Sequence, residues 1–205
     1  MKCILGEKIG MTQMFDTAGN TVPATLVYAA PNVVIQVRTR EKDGYSAIQL
    51  GFGQRNAKKI KKPQMGHFKG LNALPLYVRE FRDRTPTSEH PERGAFIDVG
   101  VFQEGDRVRV SGLSKAKGFQ GVVKRHGFHG APASHGTKHA HRQPGSLGAT
   151  WPQRVIKGMR MAGRMGGRRM SVRKAMVVGV DAGANLLAIK GAVPGRRGAL
   201  LEIRG

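Results

Sequence analysis

Five of the chain's seven histidines fall within sixteen residues, at His126, His129, His135, His139 and His141. A histidine cluster can hold a metal, exchange protons in catalysis, or stack and hydrogen-bond against nucleotides. His135 and His139 are four residues apart, as two ligands on one helix face would be. Yet Gly136 follows the first of them and no Glu stands beside it, so the His-Glu-x-x-His pattern of a zinc hydrolase is absent. No carboxylate or thiolate lies nearby to complete a metal shell or to orient a catalytic imidazole. The neighbours are cations instead. Lys115, Lys117, Lys124 and Arg125 come before the cluster, and Lys138 and Arg142 lie within it. Arg154, Lys157, Arg160, Arg164, Arg168 and Arg169 follow. In such company His126, His135, His139 and His141 are expected to meet ribose, base and phosphate rather than a metal.

Around Gly118 and Gly121 the run Ser114–Arg125 places four cations on a stretch that can turn tightly. It lacks G-x-x-x-x-G-K-[ST], which excludes a nucleotide-hydrolysing phosphate loop. The expectation is contact with an RNA backbone. Further on, spacings of three and four would set Arg154, Lys157, Arg160 and Arg164 on one side of a helix. Gly158, Gly163, Gly166 and Gly167 argue against a stable one. From Arg154 to Lys174 there are six Arg and two Lys, a bias that suits two-pronged phosphate contact. Met159, Met161, Met165 and Met170 interleave with them as gap-fillers. The chain's one tryptophan, Trp151, sits between small residues and Pro152 with no core-forming neighbours. It is expected to be an exposed aromatic that docks on nucleic acid.

These residues share one long segment. The chain has 205 residues, with 35 Lys and Arg against 13 Asp and Glu, a formal net charge of +22. From Arg107 to Val180 there are 16 basic residues and no acid. At the chain's overall frequency such a stretch would hold roughly five acids, and solvated surfaces normally mix both signs. Residues 1–106 carry 15 basic and 11 acidic groups, and residues 181–205 carry four and two. Excluding acids over such a length points to phosphate along most of it. The segment also holds 13 glycines, with Pro132, Pro144 and Pro152, and little to build a core of its own. Its shape is expected to be set by a partner, with folding coupled to binding.

The flanks must supply the scaffold. Thr21–Val27, Val33–Arg38, Ser46–Phe52, Leu76–Phe81, Phe96–Phe102 and Arg107–Val110 are short runs rich in β-branched and aromatic residues. Ala175–Val180, Leu186–Ile189 and Leu200–Ile203 repeat the pattern after the basic segment. Turn signals at 18–20, 42–44, 104–106 and 181–183 separate them. Gly66–Leu74 is expected to form a short helix or turn. Many short strands between glycine turns predict a mainly β fold, a small β-barrel or sandwich. Residues 1–106 and 175–205 are assigned to a barrel body with a small inserted lobe near 55–90. Residues 107–174 are assigned to a long, basic, largely irregular extension inserted between barrel strands, its tip near Gly145–Pro152. Cys3 is the single cysteine, so no disulfide scaffold or multi-thiolate site is available, and it is expected to be a buried strand residue. No apolar run approaches the ~18 residues of a membrane span, and no signal-peptide pattern opens the chain. A soluble, intracellular protein is expected.

With these residues in view, the chain resembles the bacterial large-subunit ribosomal protein L-three family. The resemblance rests on Ile4-Leu5-Gly6-Glu7-Lys8-Ile9-Gly10-Met11-Thr12, Asp43-Gly44-Tyr45 with Ala47-Ile48-Gln49, and Gly66-His67-Phe68. It continues through Ser114–Arg125, His139–Ser146, Lys157-Gly158 with Met161-Ala162-Gly163, Asn185-Leu186-Leu187 and Lys190–Gly195. It implies a β-barrel of the translation-protein type on the subunit surface, and a loop entering large-subunit rRNA toward the peptidyl-transferase region. It also implies early rRNA binding that helps nucleate subunit assembly. The partners would be large-subunit rRNA and neighbouring ribosomal proteins, in the cytoplasm, with no cofactor, no metal and no catalytic site. Three positions depart from the family pattern. Ala116 stands where Gly is usual, Arg109 where Asp or Asn is often found, and Ala149 where many bacterial members carry Gln. Two rivals fit less well. A histidine-based nuclease lacks an orienting carboxylate in the segment, and a DNA-compacting protein lacks any recognised DNA-binding motif.

Overall fold

The computed structural model describes residues 2–16, 19–83 and 91–205. Twelve strands run in chain order: β1 Cys3–Phe15, β2 Thr21–Tyr28, β3 Asn32–Arg38, β4 Ala47–Phe52, β5 Tyr77–Arg82, β6 Phe96–Ile97, β7 Arg107–Leu113, β8 Phe119–Gln120, β9 Gly163–Arg164, β10 Arg169–Asp181, β11 Leu186–Lys190 and β12 Leu200–Arg204. Three short helices are α1 Arg40–Asp43, α2 Lys62–His67 and α3 Val122–His126. The chain divides into two compact units, one of residues 1–113 and 169–205, the other of residues 114–168.

In the first unit six antiparallel strands close a barrel in the order β1-β12-β7-β10-β11-β2. Closure leaves no free edge, which protects a strongly charged protein from edge-to-edge pairing. Alternation explains the interior. Ile4, Val27, Val108, Val110, Val177, Leu187, Ile189, Leu201 and Ile203 pack together inside, while the residues between them point out. A second sheet runs β5-β4-β3-β6. Here the start of β1 is buried on both sides. Ile4 faces the barrel core, and Cys3 and Leu5 face Val34, Ile48, Leu50, Phe52, Phe81 and Ile97 of the second cluster. The other face of β3 is covered by Phe68, Leu71 and Leu74.

Cys3 is fully buried, and that burial pushes its thiol up to about 11, so it stays a neutral, inert core residue. Asn32 is the buried polar residue that joins the two sheets. Its side-chain Oδ1 accepts from the Leu5 N–H at 2.9 Å, and its Nδ2 donates to the carbonyls of Leu5 at 3.0 Å and Ala30 at 2.8 Å. β2 pairs with β1 only from Glu7 onward, so the amide takes over as Leu5's neighbour where that pairing stops.

Several sequence expectations need adjustment. β1, thirteen residues long, was not among the predicted strands. Phe96–Phe102 is not one strand. Only Phe96–Ile97 pairs, because the Asp98 side chain accepts from the Gly100 N–H and turns Val99–Val101 into a 3-10 turn. The helix near Gly66–Leu74 lies at Lys62–His67, with Pro63 in its first turn. Within the assigned 55–90 lobe, Tyr77–Arg82 is β5 and pairs with β4 along its whole length, and Phe68, Leu71 and Leu74 pack with Val33 and Ile35 of β3; residues 84–90 of that expected lobe lie outside the described residues. The extension is also shorter than 107–174. Arg107–Leu113 and Arg169–Lys174 belong to β7 and β10, which pair with each other, because Val108, Val110 and Ala175 supply an inward face that the charges had obscured.

At the turn before β7, Lys2 Nζ donates to Asp106 Oδ2 at 2.7 Å, and the Gln103 N–H donates to the same oxygen at 3.0 Å. The Lys2 hydrogen bond, then the backbone one, hold the Asp106 carboxyl below its ordinary range. A depressed folded-state pKa contributes stability above the unfolded value, and the contribution disappears as pH falls through the folded one. Asp106→Asn is therefore expected to melt slightly below the parent at pH 7, and the two melting curves should converge under strongly acidic conditions. A gap that widens in acid would contradict this contact.

Candidate nucleic-acid interface

Residues 114–168 fold around a short stem. Ser114 N–H donates to the Arg168 carbonyl, Lys117 N–H to Met165, and Met165 N–H to Gly118, at 2.8–2.9 Å. The two-stranded ladder β8–β9 continues it, with Phe119 opposite Arg164 and Gln120 opposite Gly163. Glycine is required here. A Cβ on Gly166, at φ +73°, would lie 2.0 Å from the Lys115 carbonyl oxygen. The arms also meet farther out, where a Cβ on Gly130 would lie 2.1 Å from the His141 carbonyl oxygen. Close backbone approach of this kind admits no side chain.

α3 begins after Gly121 and ends at Gly127 in the left-handed conformation. Its Val122 is buried, and its Lys124, Arg125 and His126 fill the last turn, where cations suit the carbonyl end. Arg125 Nη1 donates to the Met161 carbonyl at 2.5 Å, and His126 Nε2 lies 3.1 Å from the same oxygen. These two predicted contact residues are thus half-buried and tie α3 to the returning arm. Beyond α3, residues 127–162 contain no helix or strand. The helical face considered for Arg154, Lys157 and Arg160 does not form, and Gly158 is left-handed at φ +88°.

Of the other predicted contact residues, Lys115, Lys117, Lys124, His135, Lys138, His139, His141, Arg142, Arg154, Lys157, Arg160, Arg164 and Arg168 are all exposed. His141 Nε2 lies 3.2 Å from the Thr137 carbonyl. Trp151 is 82% exposed, with Val155 and Ile156 also open to solvent. Arg169 belongs to β10 in the barrel and pairs with Glu202. Among the described residues, no Lys or Arg between 114 and 168 has a carboxylate within 4 Å. Nor does any group of three or more His, Cys, Asp or Glu among them come close enough to hold a metal. The histidines therefore sit among free cations and backbone carbonyls, an arrangement suited to phosphate and ribose and without an orienting carboxylate.

Sequence reasoning missed a set of arginines on the body, Arg82, Arg109 and Arg204, which line one cleft with Arg169. They are far apart in the chain. The only signal was alternation in Arg107-Val108-Arg109-Val110, which turns both arginines outward.

A closed antiparallel barrel carrying an inserted, exposed, acid-free polycationic unit defines a class of basic β-barrel proteins. Comparison narrows it. The family model described as Ribosomal protein L3 matches residues 87–185. A large ribosomal subunit protein uL3 from Acidothermus cellulolyticus is 50% identical over 206 residues, covering 100% of this chain and 92% of that protein. Those named uL3 from Pelotomaculum thermopropionicum and Geobacillus thermodenitrificans are 50% and 48% identical over 204 residues, covering 99% of this chain and 96% and 95% of theirs. The chain belongs to the ribosomal protein L3 family.

Proposed function

We propose that this chain is a structural constituent of the large ribosomal subunit and that residues 114–168 bind large-subunit rRNA. The family is a component of the ribosome rather than an enzyme family, which places the chain's work in the cytoplasm. No helix among the described residues is long and apolar enough to cross a membrane. The observation that carries the RNA reading is the charge of residues 114–168: eleven Lys and Arg, with no acid in the segment and, among the described residues, no carboxylate within 4 Å of any of them. Self-repulsion opposes such a surface unless a polyanion lies against it.

The finer reading follows the family resemblance. The excursion reaches toward the peptidyl-transferase region, with Trp151 near its tip as a base-stacking residue. Early rRNA binding by the same segment helps nucleate subunit assembly, and neighbouring large-subunit proteins complete its surroundings. Sedimentation tests the assignment. Tagged full-length chain from a lysate is expected to travel with the large subunit through a high-salt sucrose gradient. Chain that remains at the top of the gradient would reject it.

A further inference from the structure

Outside the excursion, the barrel body presents a second concentration of cations. A cleft of about 250 Å³ opens where β5, β12, β7 and β10 come together. That is the volume of roughly eight waters, enough for a phosphate group with part of its solvent shell. Four arginines line it, Arg82, Arg109, Arg169 and Arg204, against two carboxylates, Glu80 and Glu202.

The carboxylates are already engaged. Glu202 receives Arg79 Nε at 3.1 Å and Arg169 Nη2. Glu80 receives Arg38 Nε at 3.1 Å, Gln49 Nε2 at 3.0 Å and Arg82 Nε at 3.6 Å. The remaining two cations are weakly matched. Among the described residues Arg109 donates only a long 3.4 Å hydrogen bond to Ser171 Oγ, and Arg204 makes a long 4.0 Å ion pair with Asp83. These two arginines are direct cross-strand partners, Arg204 of β12 opposite Arg109 of β7. Like charges placed opposite each other destabilise a sheet unless something bridges them. A neutral donor lies beside them. Ser111 lines the cleft, and its hydroxyl is 2.7 Å from that of Ser171 on the neighbouring strand. Only one hydroxyl can donate across that contact, so the other keeps a hydrogen for a ligand.

We propose that this cleft binds a phosphate of an RNA backbone, with Arg109 and Arg204 as its cations and the Ser111–Ser171 pair as its hydroxyl donor. The body is then a second rRNA anchor, independent of residues 114–168. The guanidinium fork matches phosphate oxygens two at a time, which a lysine does not. This inference rests on the reading that the chain binds large-subunit rRNA.

The test uses the full chain, titrated with large-subunit rRNA over a range of salt, with melting temperature as the folding control. Arg109 has no ion pair to lose among the described residues, and Arg109→Gln relieves its like-charge contact with Arg204, so it should melt at or slightly above the parent. Its salt slope should be shallower by about 0.9, the loss of one phosphate contact. Affinity should fall about tenfold, with a larger fall for Arg109→Glu. Arg109→Lys should restore the slope and only part of the affinity. Combined with neutralised cations in 114–168, the losses should add. If Arg109→Gln and Arg109→Glu bind as the parent does while the excursion variant weakens, the cleft is no RNA site and the proposed function stands. If the parent itself shows no salt-dependent rRNA binding, the function reading fails first. If Arg109→Glu leaves rRNA affinity intact but detaches the chain from subunits, the occupant is a protein, and the phosphate assignment is overturned.

Discussion

Replacing Arg142, Arg154, Lys157 and Arg160 together with glutamine is expected to remove about half of the salt sensitivity of rRNA binding without unfolding the protein. All four side chains are exposed and lie in residues 127–162, where the backbone forms no helix or strand. Among the described residues none has a carboxylate within 4 Å, so the change breaks no ion pair there. Each phosphate neutralised by the parent releases counterions, and the binding constant then falls with salt at about 0.9 of a log unit per contact on a duplex and 0.7 on a single strand. If about eight cations of the excursion touch phosphate, the parent slope is roughly −6 to −7, and removing four should halve it. Titration at several salt concentrations reads this directly. A parent slope near −1, or a variant slope equal to the parent's, would show that the excursion does not lie along RNA.

The second large effect concerns the scaffold. Asn32→Leu, close in size, deletes all three side-chain hydrogen bonds of a fully buried residue. The Leu5 N–H, the Leu5 carbonyl and the Ala30 carbonyl are left facing a methyl group. Unsatisfied buried backbone groups cost about 1–3 kcal/mol each, so the sum is about 3–9 kcal/mol. Against a typical domain stability of about 5–15 kcal/mol, that is enough to unfold much of the population. Urea denaturation followed by far-ultraviolet circular dichroism should show a midpoint far below the parent's. A shift equivalent to less than about 1 kcal/mol would mean that water or a rearranged backbone replaces the amide.

Much of the body was legible because its strands alternate. Leu200–Ile203 carries the inward residues Leu201 and Ile203 two apart, Val27 of Thr21–Val27 joins the same core, and the strands fall within a residue or so of the expected ends. β1 escaped because Gly6, Glu7, Lys8 and Gly10 interrupt its apolar pattern. A bulge between Lys8 and Gly10 then shifts the register and breaks the period of two. The extension's boundaries were misread for the opposite reason. Arg107, Arg109, Arg169 and Arg173 dominate the composition of β7 and β10, although a barrel strand tolerates any charge on its outward face. In residues 114–168 the exposure of Trp151 and of most of the cations was legible from composition alone. The roles of Arg125 and His126 were not, because their shared partner is the Met161 carbonyl, 35 residues away or more. The arginine cleft was hidden for a related reason. Its cross-strand pair, Arg109 and Arg204, is brought together only by β7–β12 pairing.

β7 and β10 are adjacent, antiparallel barrel strands, so the 55 residues from Ser114 to Arg168 are, topologically, the loop of a β-hairpin. Loop-closure entropy grows only with the logarithm of length, by about 0.6 kcal/mol for each doubling. Growing that connection from a four-residue turn to its present size takes nearly four doublings, or about 2 kcal/mol. The ladder from Leu113 opposite Arg169 down to Val108 opposite Ala175 fixes the strand register whatever lies between them. A barrel of this kind can therefore change the length and sequence of its insert at little thermodynamic risk to itself. Its reach is free to vary while its foundation stays the same.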